Sequence, residues 1–222
     1  MNQKRKYKHL KCVFYLGVKM DTKQWIGDKH SVFVTLGASN HTELERQNVD
    51  YYATDPKALN LLLNKLKEDN IILPKNIVEP CCGGGHLSEE LKRHGYNVTS
   101  YDLYNHGYDC IKQDFLKSEI IAQCFLTNPP YKYALEFTQK ALKNVLPNGY
   151  VVMLLRIQFL EGKTRNLFFK KYPPKFIYIN SSRQNCARNG DFITSKRASA
   201  TCYAWFIWQK GFQGEPILRW ID

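Results

Sequence analysis

The sequence predicts a doubly wound α/β domain with a seven-stranded, mostly parallel sheet and one antiparallel strand at its edge. From Asp55 onward, apolar strand-like segments alternate with segments of helical spacing. The continuous apolar run from Tyr150 to Ile157 is typical of the buried middle of a parallel sheet. Strands joined by helices run parallel, whereas only a polar stretch, Ser181 to Ala200, separates the last two strands. The last strand is therefore expected to be antiparallel.

Helices are predicted where apolar residues recur at helical spacing between capping and breaking residues. Asp55 and Pro56 suit the cap and first turn of the first helix, and Gly95 ends the second. The predicted helices are Asp55–Lys67, Leu87–His94, Tyr133–Leu146 and Lys163–Lys171. The predicted strands are Asn76–Cys81, Asn97–Leu103, a third that ends at Asp114, Gln123–Thr127, Tyr150–Ile157, Lys175–Asn180 and Thr201–Trp208.

Two segments, an N-terminal extension and an insertion near the C-terminus, do not follow the alternation of helices and strands. Residues 1–48 are predicted to form a basic N-terminal extension with strand-like segments at Lys11–Lys19 and Ser31–Leu36, and Met20 is an alternative start. Residues 49–222 form the predicted domain, with a small basic insertion at about 181–200. No apolar run approaches the roughly 20 residues that span a bilayer, and the basic N-terminus lacks the apolar stretch of a secretory signal. We therefore expect neither a membrane span nor a signal peptide.

The charge balance favours a polyanionic partner. Lysine and arginine total 32 against 20 acidic residues, a net charge of +12. Neutralising phosphates releases condensed counterions, so nucleic acid is the expected partner. The seven cysteines include no Cys-x-x-Cys pair, so no zinc site is expected. Several of them fall in apolar strand-like segments, which predicts reduced thiols and a cytoplasmic location.

A glycine loop follows the first predicted strand of the domain. Gly83-Gly84-Gly85 leads directly into a helix, whose unpaired N–H groups attract a negative group. A glycine triplet by itself is also found in ordinary tight connections. Gly-x-Gly-x-x-Gly and Gly-Lys-Ser/Thr are both absent, which disfavours a nicotinamide dehydrogenase and a phosphate-cradling loop.

Acidic residues follow the next two strands. Asp102 lies about 20 residues beyond the loop, where a carboxylate accepts hydrogen bonds from ribose hydroxyls. Asp114 and Phe115 lie where the third strand ends, placed for a base amino group and an aromatic lid. Loop and acids together predict a nucleoside-containing ligand.

Asn128-Pro129-Pro130-Tyr131 follows a strand near the predicted centre of the sheet, at the edge where open α/β sheets bind ligands. Neither proline has an N–H, so the available groups are the Asn128 side chain, the Pro129 carbonyl and the Tyr131 ring. Two acceptors suit the two N–H groups of an exocyclic amine and the positive charge that develops as its nitrogen attacks a methyl group. The Tyr131 ring suits stacking on a base taken out of its helix.

Glu79, Gly83 and Gly85 with Asn-Pro-Pro-Tyr downstream resemble the amino-group methyltransferases, over about Tyr51 to Gln209. The resemblance implies a Rossmann-like class I methyltransferase fold, S-adenosylmethionine as the cofactor and no metal. Asn128, Pro129, Pro130 and Tyr131 would be catalytic. The implied cofactor contacts are Tyr52, Thr54, Glu79, Cys81, Gly83, Gly85, Asp102, Asp114, Phe115 and Asn128. The Pro80-Cys81 dipeptide is similar to the nucleophile of cytosine-C5 enzymes but lies in the wrong strand for that role.

The order of these segments resembles the gamma and small phage-type DNA adenine-N6 methyltransferases. RNA methylation at adenine N6 or guanine N2 is an alternative, as are methylation of a protein glutamine and a catalytically silent nucleic-acid-binding module. No room remains for a recognition domain of ~100 residues. The basic side chains expected to meet nucleic acid are Arg156, Arg183, Arg188, Lys196 and Arg197, with a further basic run at Lys4–Lys8.

Overall fold

The computed structural model describes residues 52–182, 186–188 and 201–222. The predicted strands of the N-terminal extension lie outside the described residues, as do three residues expected to contact nucleic acid, Arg183, Lys196 and Arg197.

The described residues contain ten strands, which form two sheets. Their bounds are β1 Tyr52–Thr54, β2 Asn76–Glu79, β3 Asn97–Asp102, β4 Ile111–Lys112, β5 Ala122–Thr127, β6 Val145–Arg156, β7 Phe176–Asn180, β8 Cys186–Arg188, β9 Tyr203–Gln209 and β10 Ile217–Ile221. The main sheet has the order β10-β7-β9-β6-β5-β2-β3-β4, and β1 pairs with β8 in a separate antiparallel ribbon. Among these strands of the main sheet, only β9 runs antiparallel to its neighbours. The predicted α/β class with a mostly parallel sheet is confirmed.

Four helices of the described residues cover the two faces of this sheet: α1 Pro56–Glu68, α2 His86–Arg93, α3 Ala134–Asn144 and α4 Lys163–Lys171. The Asp55 side chain caps α1 by accepting from the Lys57 N–H at 3.0 Å, with Pro56 in the first turn, as the sequence predicted. The leucines of α1 and α2 belong to one buried cluster, whereas Phe137 of α3 and Phe168 of α4 belong to another. The sheet therefore has a core on each face, and no helix in the described part of the chain is both long and apolar enough to cross a membrane.

Two details of the predicted sheet were wrong. The main sheet has eight described strands, not seven, because Ile217–Ile221 forms an additional strand parallel to β7. The antiparallel strand β9 lies between β6 and β7 instead of at the edge. Six of its seven residues, Tyr203 to Trp208, are buried, since neighbouring strands and both cores cover them. The edge belongs to β10, whose Trp220 side chain is 62 % exposed.

Candidate active site

The candidate site lies at the carboxyl edge of the sheet, between β2 and β5. These two strands are parallel neighbours; the chain continues from β2 to β3 on one side and from β5 to β6 on the other. A reversal of this kind is the switch point at which open α/β sheets form their ligand crevice. The glycine loop follows β2 and the Asn-Pro-Pro-Tyr segment follows β5, so the fold brings together the two motifs that the sequence singled out.

The glycine loop turns into α2 through left-handed backbone and holds the carboxylate of Asp102. Gly83 has φ 53° and Gly85, the N-cap of α2, has φ 77°. The Gly83 N–H donates to Asp102 Oδ2 at 2.8 Å and the Tyr104 N–H to Oδ1 at 2.9 Å. Two backbone donors thus fix a buried carboxylate at the end of β3, beside a cleft of about 400 Å³ in the loop that follows.

The ring of Tyr108 lies against Gly85, where a side-chain Cβ would collide with it. Its hydroxyl donates to Glu89 Oε1 at 2.6 Å and accepts from Lys92 Nζ at 2.8 Å, both on α2. We expect Gly85→Ala to lower the free energy of unfolding by about 2–3 kcal/mol, because left-handed strain adds to the clash. A denaturant titration measures the loss.

Gly107→Ala is the matched control, because Gly107 also has a positive φ, 83°, but nothing lies near its added Cβ among the described residues. The free energy of unfolding of this variant should fall only by the cost of the left-handed backbone, about 1–2 kcal/mol. Equal losses for the two variants would mean that the Tyr108 ring yields without cost.

The carboxyl group of Glu79 is buried beneath the glycine loop, with 1 % of the residue exposed. It accepts a hydrogen bond from the Ser88 hydroxyl of α2, and Ser88 Oγ lies 2.6 Å from Ser100 Oγ of β3. Burial raises the pKa of Glu79 to about 8; the Ser88 hydrogen bond opposes that rise and the nearby Asp102 carboxylate adds to it. Glu79 therefore ties α2 and β3 to β2, and its contact with a cofactor stays a prediction.

Asn128 is held by the ribbon that precedes the domain's first helix. Its Nδ2 donates to Thr54 Oγ1 of β1 at 2.9 Å, and Thr54 is 3 % exposed. The donor end of the amide is therefore directed toward β1. Cys81, beneath this segment, lies with Sγ 3.0 Å from Thr127 Oγ1 and donates to the Asn128 carbonyl at 3.7 Å. Burial raises the pKa of the Cys81 thiol, which disfavours a nucleophilic thiolate.

Tyr131 contacts two side chains from strands on the other side of β5. The Arg156 guanidinium, at the end of β6, lies 4.3 Å from the centre of the Tyr131 ring. The Tyr203 ring of β9 approaches it with a centroid distance of 5.8 Å and an interplanar angle of 38°. Arg156 was predicted to contact the substrate, and the structure places it beside the predicted stacking residue. Tyr203 was missed, because nothing in the sequence distinguishes it from the rest of a buried apolar strand.

Three other predicted residues, Asp114, Phe115 and Arg188, lie in different surroundings: a helix cap, the core and the β1–β8 ribbon. Asp114 accepts from the Leu116 N–H at 3.0 Å and caps a short 3-10 helix, Phe115–Lys117. The Phe115 ring is 2 % exposed and contacts Phe125 and Phe137, so it lies in the core and not on the surface as a lid. Arg188 of β8 is opposite Tyr52 in the ribbon, which places the backbone of residues 186–188 beside β1.

Comparison with known proteins places the fold. No protein-family model matches the chain, and no curated protein matches its sequence. Solved structures do match at the level of the fold. A Pyrococcus horikoshii protein assigned as an RNA methyltransferase has a TM-score of 0.55 at 13% identity, with 83% of this chain and 100% of that protein covered. The M protein of the type I restriction enzyme EcoKI has a TM-score of 0.54 at 15% identity, with 75% and 45% covered.

A Listeria monocytogenes protein assigned to the class I S-adenosylmethionine-dependent methyltransferases has a TM-score of 0.52 at 15% identity, with 75% of this chain covered. This chain spans 64% of that protein and less than half of the EcoKI M protein. The chain therefore has the Rossmann-like class I methyltransferase fold, as the sequence predicted.

Proposed function

We propose that this protein transfers a methyl group from S-adenosylmethionine to the exocyclic N6 amino group of adenine in DNA. One observation carries the proposal: Asn128, held by Thr54, and Tyr131 follow β5 at the switch point of a class I methyltransferase fold, next to the glycine loop. Similarity to methyltransferase structures supports the reaction class, and the Asn-Pro-Pro-Tyr segment supports an amino nitrogen as the acceptor.

The residues around the glycine loop fit this cofactor. Asp102 presents a fixed carboxylate at the end of β3, the position from which an acid binds ribose hydroxyls. Asp114 follows β4, and Asn128, bonded to Thr54 of β1, follows β5, the neighbour of β2. When bound, S-adenosylmethionine supplies an electrophilic methyl group on a positively charged sulfur.

The protein's own groups act on the amine. With the Asn128 Nδ2 directed to Thr54, Oδ1 is the amide atom suited to accept one N–H of the target amine, and the Pro129 carbonyl suits the other. Both acceptors stabilise the positive charge that develops on nitrogen and orient its lone pair. Tyr131 stacks on the extruded base and fixes its distance from the acceptors. No general base is required for the attack.

Charge and fold similarity support a nucleic-acid target. The net charge of +12 favours a phosphate backbone, and one structural neighbour is the M protein of the type I restriction enzyme EcoKI. Arg156 and the insertion residues Arg183, Arg188, Lys196 and Arg197 are the proposed nucleic-acid contacts. An RNA base is the second candidate target, because the Pyrococcus horikoshii neighbour, which this chain spans in full, is assigned as an RNA methyltransferase.

The test is transfer of tritiated methyl from S-adenosylmethionine to unmethylated duplex DNA, with total RNA in parallel, followed by nucleoside analysis. N6-methyladenine in DNA is the expected product. Label found only in RNA would contradict the DNA target and support the second candidate, an RNA base. Label in neither, with the cofactor still bound in calorimetry, would contradict both and direct attention to a protein glutamine or to a silent binding module.

Arg156 is expected to affect substrate binding more than turnover. Its guanidinium lies 4.3 Å from the centre of the Tyr131 ring, where it holds the ring in position and carries a positive charge suited to a phosphate of the DNA. We expect Arg156→Ala to raise KM for DNA by about three- to thirtyfold, the equivalent of one cation–π or phosphate contact. Steady-state kinetics measure the change, and Arg156→Lys separates charge from planar stacking. A change confined to kcat would contradict this role.

A further inference from the structure

The helix α4 has one exposed face that carries lysines and no acidic residue. Lys163, Leu167, Lys170 and Lys171 recur at the spacing i, i+4, i+7 and i+8, which places them on the same side of the helix. All four are exposed, Leu167 by 68 %. Phe168 is the buried residue that attaches the helix to the core. We call the face formed by these four residues the α4 stripe.

Within the described part of the chain, no carboxylate forms an ion pair with Lys163, Lys170 or Lys171, so their charges are not neutralised by a neighbouring acid. Six basic side chains of the same residues do pair with carboxylates: Lys65, Lys92, Arg93, Lys117, Lys140 and Arg219. Arg165, also on α4, instead donates to the Glu161 carbonyl at 2.5 Å and is part of the local structure.

The sequence around α4 has the same bias. Between Phe137 and Gly190 there are ten lysines and arginines and one acidic residue, Glu161. A surplus of basic residues of this size favours a polyanionic partner, because neutralising phosphates releases condensed counterions.

The α4 stripe is connected to the candidate site. Arg156 ends β6 at the Tyr131 ring, a 3-10 turn follows at Ile157–Leu160, and α4 begins at Lys163. The eight residue steps from Lys163 to Lys171 extend about 12 Å at about 1.5 Å each. One DNA strand carries a phosphate about every 3.4 Å of helix axis, so the stripe is as long as about three to four phosphate intervals.

We infer that the α4 stripe is a docking surface for the phosphate backbone of the nucleic acid whose target base reaches Tyr131. This inference rests on the proposed function for the identity of the partner. Base edges play no part in it, since lysines on a helix face neutralise phosphates without reading sequence. The surface therefore contributes affinity and positioning, and target specificity belongs to other residues.

The experiment compares wild type with the triple variant Lys163→Gln/Lys170→Gln/Lys171→Gln in binding a fluorescein-labelled DNA duplex, followed by anisotropy from about 50 to about 200 mM salt. We expect the slope of log Kd against log salt to fall by about 2–3, because each lost phosphate contact removes about one. The control Lys67→Gln/Lys75→Gln/Lys143→Gln removes the same charge from exposed positions elsewhere, none of which is ion-paired with another described residue. Its slope should change by less than about 0.5. Melting curves verify that both variants are folded.

The outcomes separate this inference from the proposed function. If the wild type binds DNA and the slope of log Kd against log salt falls only in the α4 variant, the result supports the docking surface. This holds whether or not methyl is transferred. A wild type that methylates DNA while the α4 variant keeps its slope overturns the surface and leaves the reaction in place. The same assay with an RNA hairpin in place of the duplex tests whether the backbone is that of RNA. Binding only to anionic vesicles, with no nucleic acid bound, also overturns the inference.

Discussion

Replacing Asn128 by alanine is expected to lower kcat for methyl transfer by about 10³-fold, while the affinity for S-adenosylmethionine changes by less than about threefold. The amide oxygen is one of two acceptors proposed to stabilise the positive charge that develops on the amine, and that charge exists only as the reaction proceeds. Removing it therefore lowers turnover more than binding. Single-turnover kinetics with DNA and calorimetry with the cofactor give the two quantities separately.

Two further variants locate the effect. Thr54→Val keeps the shape of Thr54 but removes the hydroxyl that accepts from Asn128 Nδ2, so Asn128 loses its orientation but keeps its acceptor. We expect a loss in kcat of about tenfold, about one hydrogen bond, and restoration by Thr54→Ser. Asn144→Ala removes a comparable amide, which donates to the Ile120 carbonyl at 3.0 Å at the far end of α3. It should lower Tm without a selective effect on transfer.

Equal losses of transfer and of cofactor affinity in Asn128→Ala would contradict this division of roles. Asn128 would then be chiefly a cofactor ligand, and the acceptors for the amine would have to be sought among the carbonyls of the segment.

The sequence was informative where the signal is local. Caps, helical spacing and loop residues lie close together along the chain, which is why α4 was predicted with its observed bounds, Lys163–Lys171, and why the strand before Asn128 was placed correctly. Alternation of strands and helices then determined the class of the fold and the edge at which both motifs meet.

Features that depend on distant pairing were not predicted. The contact of Thr54 with Asn128 joins residues 74 positions apart, and β8 pairs with β1 across most of the domain. Strand β9 was predicted at the edge because no helix precedes it, yet its buried residues fit only the interior. Phe115 was predicted to be an aromatic lid because it follows Asp114 in the sequence. Its ring packs against Phe125 and Phe137 and therefore lies in the core.

Stability should depend on the protonation of Glu79, with a sign opposite to that of most acidic residues. Its pKa is raised to about 8 in the folded protein, chiefly by burial, whereas the unfolded value is near 4.5. The folded state therefore binds the proton more tightly. The stabilisation is fully present below pH about 4.5 and is lost as the pH rises through about 8. Above that pH the folded state contains a buried carboxylate near Asp102.

Glu79→Gln replaces the protonated carboxyl by a neutral amide of similar shape, whose oxygen accepts from Ser88 in the same way. Near pH 5 the variant and the wild type should have similar free energies of unfolding. At pH 9 the variant should be more stable by about 4 kcal/mol, since each pKa unit corresponds to about 1.4 kcal/mol. Urea titrations across this pH range measure the difference. The difference should grow between pH 5 and 8 and then remain constant.

Glu89→Gln, on the exposed side of α2, is the matched control. Hydrogen bonds from the Tyr108 hydroxyl and from Lys92 lower the pKa of Glu89, so its carboxylate stabilises the fold and that contribution is lost as the pH falls. Its variant should differ from wild type mainly at neutral and high pH, in the destabilising direction. If Glu79→Gln followed the same course as Glu89→Gln, the Glu79 carboxylate would be stabilised by the Ser88 hydrogen bond more than burial disfavours it. Glu79 would then be charged at neutral pH, and α2 would be held to the sheet by an anion instead of a neutral carboxyl group.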